Sequence, residues 1–186
     1  MANVPSPATI PPCRLVLEGY RFDFVASLDP ERDETGTILE SNPHERFPNP
    51  GSIPLNRYGH GPFCEFGISV PKGMTGVYAL VVAGSVRYVG VCQDLGRRFN
   101  ANYGHISPQD CYVGGQSTNC KVNHLILDAA NAGEWVDLYF HHATSDRLST
   151  EAELITKWSP PWNGRRAVSA GPVERPRGTR LMDRPE

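Results

Sequence analysis

From Gly76 the chain carries two short runs rich in β-branched and aromatic residues, GVYALVV (76–82) and VRYVGVC (86–92), separated by the turn residues AGS. Runs of this length bounded by turn residues predict an antiparallel hairpin. The next segment changes period. Leu95, Phe99 and Tyr103 recur at helical spacing, Asp94 stands at a capping position and Gly104 at a stop, which predicts a short helix. HISPQDCYVGGQSTNC (105–120) is polar and reads as a loop. KVNHLILDAANAG (121–133) is helical up to Gly133, EWVDLYFHHA (134–143) alternates as a third strand, and STEAELITKW (149–158) is a last helix stopped by SPPWN. The order β-β-α-α-β-α predicts an α+β fold, a small three-stranded antiparallel sheet flanked by helices.

The first 75 residues are broken by proline. VPSPATIPPC has no period, CRLVLEGYRFDFVASL contains one or two short strands, and DPERDETGTILESNPHERFPNPGSIP reads as loop. Too few apolar residues are present for a separate core. The expected organisation is a Pro-rich, irregular N-terminal extension over 1–73, a domain over 74–163, and a flexible basic tail over 164–186.

Composition narrows the class. The 186 residues are 39% hydrophobic and 20% charged, with a net charge of −2 and no apolar run near the length of a membrane span. No charged start followed by an apolar stretch marks a signal peptide, so a cytoplasmic protein is expected, with no membrane partner. Five cysteines without a C-x-x-C pair argue against a disulfide framework or a four-ligand zinc site. Cys111, Cys120 and His124 match no familiar zinc spacing, and buried free thiols are the expectation. The charge is unevenly spread. Residues 1–75 carry six basic and nine acidic side chains, whereas the tail from Gly164 holds six arginines against three acids. Only three of the 18 basic residues are lysines; arginine is the better fork for phosphate.

Candidate chemistry collects on the hairpin and the last helix. Side chains alternate along strands, so Tyr78 and Tyr88 are expected near each other across the pair, with Arg98 of the following helix converging on them. In the last helix, positions 151, 154, 155 and 158 form one stripe, and three are apolar (Leu154, Ile155, Trp158). The fourth is Glu151. A carboxylate there is costly unless a cation or hydrogen bonds compensate it, and a divalent metal would do so. Glu153 has the spacing of a capping-box partner to Thr150.

With GVY, YVG, DLGRRF and EAELITKWSPPWN in this order, the chain resembles the GIY-YIG nuclease superfamily over residues 74–163. The family pattern of a glutamate, then Leu-Ile, then proline and asparagine falls on Glu151, Leu154, Ile155, Pro160 and Asn163. The resemblance implies hydrolysis of a nucleic-acid phosphodiester, here of DNA, with Mg²⁺ or Mn²⁺ held chiefly by Glu151. It implies Tyr78 as the group that deprotonates water, Arg98 on the scissile phosphate, Tyr88 positioning through its hydroxyl, and Asn163 as a brace. The family often has His or Tyr four residues after the arginine, where this chain has Asn102. Tyr103 is placed ahead of His105 as its substitute, and the role stays open. Arg97, Gln116, Ser117, Thr118, Asn119, Lys121, Arg165 and Arg166 are candidate nucleic-acid contacts, with capping of the next helix through Thr118 or Asn119 an equal alternative for the loop.

The short chain resembles restriction-type members most. A repair or mobile-element nuclease, or a catalytically inactive binding module, is the alternative. Cutting both strands from one site per chain would need a homodimer or two binding events.

Overall fold

The computed structural model describes residues 11–46 and 52–164. Its centre is a five-stranded, fully antiparallel sheet in the order β1-β2-β7-β5-β6, where β1 is Arg14–Leu17, β2 Tyr20–Leu28, β5 Gly76–Val82, β6 Ser85–Cys92 and β7 Val136–His142. The α+β class matches the sequence expectation, but the sheet has five strands rather than three. The two additional strands come from the segment read as an extension. Glu18 and Gly19 both have positive φ (50° and 85°) and join Leu17 to Tyr20 in a two-residue turn, the primed geometry that matches strand twist. The hairpin then adds β2 to β7, because Phe22 and Leu17 are fully buried and need a sheet to cover them. Pattern alone marks short strands there; which edge they join depends on contacts more than 100 residues away in the chain.

The second hairpin follows the expected boundaries. Ala83 and Gly84 (φ 48° and 74°) turn β5 into β6, and the pairing runs Tyr78 to Gly90 and Leu80 to Tyr88. Central strand β5 is buried along its whole length, which explains why GVYALVV is apolar at every position rather than alternating. Its two faces serve two cores. Tyr78, Leu80 and Val82 pack with Phe99, Tyr103 and α2 (Ser117–Asn131), while Val77, Ala79 and Val81 pack with Leu17, Phe22 and Leu154 of α3 (Arg147–Trp158).

Between β2 and β5 the chain forms a two-stranded pair, β3 (Glu40–Ser41) with β4 (Phe63–Cys64), and then runs against the helical segment that follows β6. Asn100 exchanges two hydrogen bonds with the Ile68 main chain (2.7 and 3.0 Å), and the Phe66 N–H donates to the Gly104 carbonyl at 3.2 Å. Among the described residues, no helix is long and apolar enough to cross a membrane.

Candidate active site

The two motif glycines are required by close approach. Tyr78 and Gly90 face each other across β5 and β6, and the Tyr78 ring lies over Gly90. A Cβ on Gly90 would sit 2.5 Å from the Tyr78 hydroxyl oxygen and 2.8 Å from Cε1 of Tyr88. A Cβ on Gly76 would run into the His141 carbonyl and stand 2.8 Å from the Phe140 ring. Tyr78 and Tyr88 therefore share the face the alternation predicts, with ring centroids 6.1 Å apart.

The helix after β6 begins as expected and then departs from α geometry. The Asp94 side chain caps it, accepting from the Arg97 N–H at 2.8 Å. A single α turn, α1 (Leu95–Arg97), widens into a π-helix over Arg98–Tyr103, closed by the Gly104 N–H donating to the Phe99 carbonyl at 3.0 Å. In an α-helix at 3.6 residues per turn, Asn102 would lie under Arg98 and Tyr103 would point away. The wider turn brings the residue five positions on nearly into line. The Arg98 guanidinium accordingly stands 5.4 Å from the centroid of the Tyr103 ring, and the Tyr103 hydroxyl hydrogen-bonds that of Tyr78 at 2.7 Å. His105 is exposed, and its Nδ1 lies 3.6 Å from Glu65.

Asn123, which the sequence reading passes over, secures this arrangement. Wholly buried in α2, it donates to the carbonyls of Tyr103 (2.8 Å) and Cys64 (2.7 Å) and accepts from the Cys64 N–H (3.0 Å). A lone Asn at a helix position surrounded by apolar residues is the signal that marks it.

Burial sets the state of the phenols. Tyr78 is 1% exposed, and desolvation, then the neighbouring Tyr103 and Tyr88, push its pKa well above the ordinary value, with Arg98 opposing. Tyr88 is raised by the same causes, desolvation first, with Glu151 adding to them. A phenolate at Tyr78, the form that could deprotonate water, is therefore not the one this environment favours. Arg98 has its Nε buried without a hydrogen-bond partner among the described residues.

Glu151 is half-buried in the second turn of α3. Burial raises its pKa, against the opposing charge of Arg98 and a hydrogen bond from the Val91 backbone. The stripe holds for Leu154 and Ile155 but not for Trp158, which is 47% exposed with its indole N–H on Glu18 at 3.1 Å. Helix α3 starts at Arg147, two residues before the expected start, so Thr150 is an interior helical residue and Glu153 is no capping-box partner. Glu153 instead accepts from the Tyr20 hydroxyl (3.0 Å) and pairs with Lys157 (3.1 Å).

Asn163 clamps edge strand β6. Its side chain accepts from the Val89 N–H (2.9 Å) and donates to the Val89 carbonyl (2.7 Å), next to Tyr88. Beside these groups opens a cleft of about 430 Å³ whose lining includes Val91, Asp94, Arg97, Arg98, Asn102 and Arg147. Arg147 is absent from the sequence reading, because its place on the cleft follows from how α3 crosses β6.

The other nucleic-acid candidates divide. Gln116 and Thr118 are exposed and Ser117 half-buried at the start of α2, and the helix begins at Ser117, four residues before the expected start. Neither Thr118 nor Asn119 caps it; Gln116 occupies the cap position without a side-chain hydrogen bond. Asn119 is buried and turned onto Asp110 at 3.4 Å, and Lys121 donates to the Gly164 carbonyl at 2.6 Å. Arg165 and Arg166 lie outside the described residues. Cys64, Cys92, Cys111 and Cys120 are buried free thiols and Cys13 an exposed one. His124 stacks on Phe63 with centroids 4.5 Å apart.

No protein-family model and no curated protein matches this chain. Among solved structures, a mutant of bacteriophage T4 EndoII is similar at 18% identity and a TM-score of 0.45, over 60% of this chain and 86% of that one. A likeness of that size decides neither family nor activity.

Proposed function

We propose that this chain is a divalent-metal-dependent endonuclease that hydrolyses DNA phosphodiester bonds, in the manner of the GIY-YIG nucleases it resembles. The observation that carries the reading is the grouping of Tyr78, Tyr88, Tyr103, Arg98 and Glu151 beside an arginine-lined cleft. Residues from β5, β6, the π-helix and α3 meet there, although the chain separates them by up to 73 positions.

The residues fit Mg²⁺ or Mn²⁺ of one kind. Among the described residues no three acidic, His or Cys side chains converge on a point, so an all-protein cage is absent. Mg²⁺ commonly keeps several waters and takes one or two carboxylates plus substrate phosphate. Glu151, half-buried and without a salt bridge among the described residues, would supply that single carboxylate. A metal bound there would polarise the phosphate as a Lewis acid.

The chain's own groups do the rest. Arg98, with an orphaned Nε and a positive charge that neighbouring groups sense, binds the scissile phosphate and offsets its growing charge. Tyr88 orients water or phosphate through its hydroxyl. Only the phenolate form of Tyr78, its own proton having gone to solvent, can take the proton of the attacking water and so return to the phenol, and the short bond to Tyr103 gives that proton a second oxygen to share. Because Tyr78 is held neutral by burial, this step is favoured only as the phenol's pKa comes down or the pH goes up. Asn163 holds Val89 and with it Tyr88.

That neutrality is also what favours the second reading, an inactive module that keeps the site's shape and binds nucleic acid. Purified protein on supercoiled plasmid and on single-stranded DNA decides between them. Cleavage with Mg²⁺ or Mn²⁺, binding without turnover in Ca²⁺, and no cleavage in EDTA are expected. Undiminished cutting in excess EDTA sinks the metal assignment, and binding without cutting under every metal favours the module. Discrete fragments would support a restriction-type role over a repair or mobile-element one, and sedimentation during double-strand cutting would reveal a homodimer.

A further inference from the structure

The cleft beside Glu151 contains more positive charge than one scissile phosphate requires. Arg97, Arg98 and Arg147 all line it, and none of the three forms an ion pair with a carboxylate among the described residues. Asp94 is the one acidic side chain on its wall among the described residues, and its oxygens accept from the N–H groups of Arg97 (2.8 Å) and Gly73 (2.9 Å). Asp94 and Glu151 offset part of the charge of the three guanidiniums through Arg97 and Arg98, and the remaining excess of positive charge favours an anion in the cleft.

Arg147 is placed by the fold. It opens α3 four residues before Glu151, so the two project from one face about 6 Å apart along the axis. Val91 lines the cleft and its backbone also touches Glu151, which puts the carboxylate and the arginine on the same stretch of β6. One Nη of Arg147 donates to the Thr144 carbonyl at 2.6 Å, which anchors the guanidinium and leaves its remaining donors for a ligand. Next to it Leu148 is 64% exposed on the same cleft, an apolar surface suited to a sugar or base face.

We propose that Arg147, with Arg97, seats the backbone phosphate adjoining the scissile one, so that the cleft takes two successive phosphates of one strand. The assignment rests on the nuclease reading and extends it to a residue outside the motif. It makes the substrate a continuous strand rather than a terminal phosphate monoester.

Two ligands test it on the full chain. Inorganic pyrophosphate, with two linked phosphates, reports on the seat without turnover, and a fluorescein-labelled DNA duplex in Ca²⁺ reports on nucleic acid. Arg147→Ala should weaken both by about tenfold or more, the loss of one charged hydrogen-bonded contact. Its slope of log K against log salt on duplex should shrink by about 0.9. Arg147→Lys should recover part of the affinity by keeping the charge without the fork. If alanine lowers the melting temperature, Arg147→Gln, which keeps a donor for Thr144, takes its place. Unchanged affinity and slope in a protein that still cuts DNA would remove Arg147 from the substrate and leave the nuclease reading standing. Arg147-dependent pyrophosphate binding in a protein that neither binds nor cuts DNA would overturn both.

Discussion

The hydroxyl oxygens of Tyr78 and Tyr103 lie 2.7 Å apart in the interior, joined across 25 positions of the chain by a helix that opens into a π turn. Either oxygen can be the donor, so the pair can share or relay one proton. Their surroundings raise the Tyr78 pKa, which puts its phenolate form further to the alkaline side of neutrality.

The pH dependence follows with a definite sign. If Tyr78 is the base, only its deprotonated fraction acts, and that fraction grows about tenfold per pH unit below its pKa. Cleavage should therefore climb from neutral into alkaline pH. Tyr78→Phe should remove the climb, while Tyr103→Phe should shift its midpoint because it removes the partner hydroxyl. A flat profile for wild type between pH 7 and about 9 would take Tyr78 out of the proton transfer.

Gly90→Ala tests the packing that aims Tyr78. The added Cβ would meet the Tyr78 hydroxyl and Cζ and the Tyr88 ring, all in the interior, so a buried phenol must move. A loss of about 1–3 kcal/mol is expected from overpacking. Cleavage should fall further than stability explains, since both tyrosines shift. Gly84→Ala, where a Cβ meets nothing but φ is 74°, should lower stability through strain without a specific loss of activity. Melting curves and turnover of the two variants separate the effects.

The two glutamates of α3 should behave oppositely. Glu151→Gln should lower cleavage by more than about a hundredfold, because the carboxylate proposed to hold the metal is gone. Burial raises the Glu151 pKa above its usual 4.5, so the folded chain holds that proton more tightly than the unfolded one. The resulting stabilisation is complete below about pH 4.5 and is lost as pH rises through the raised value. Glu151→Gln should then melt higher than wild type at neutral pH without metal, and the advantage should vanish in acid. Glu153→Gln loses a solvent-screened pairing with Lys157 and weakens a part-buried hydrogen bond from Tyr20, and it should change stability little and keep activity. An active Glu151→Gln beside a dead Glu153→Gln would redraw the site.

Asn123→Leu tests the support behind Tyr103. It would strand the Cys64 N–H and the carbonyls of Cys64 and Tyr103, all partnered by one buried amide. Each unsatisfied group costs about 1–3 kcal/mol, so a loss of roughly 3 kcal/mol or more is expected in denaturant titrations. A loss under about 1 kcal/mol would mean that the π turn is secured elsewhere.

What the sequence by itself determined is local or near-local. The β5–β6 hairpin, the Asp94 cap, the helix 147–158 to within two residues, and the shared face of Tyr78 and Tyr88 all follow from alternation, helical spacing and turn chemistry over a few positions. Tertiary structure decided the rest. The hairpin of β1 and β2 reads locally as two strands, but only burial of Leu17 and Phe22 against residues far along the chain adds them to the sheet. Tyr103 rather than Asn102 reaches Tyr78 because Asn123 and Asn100 hold a widened turn that no periodicity in RRFNANY announces. Trp158 looks like core by spacing but is half exposed, its indole N–H donating to Glu18 of the β1–β2 turn, a partner the helical period could not indicate. Arg147 lies beside Arg98 only because α3 crosses β6 at Val91. Spacing along a chain constrains neighbours within a turn or a strand; which distant surfaces meet is set by the burial that lowers the free energy of the whole fold.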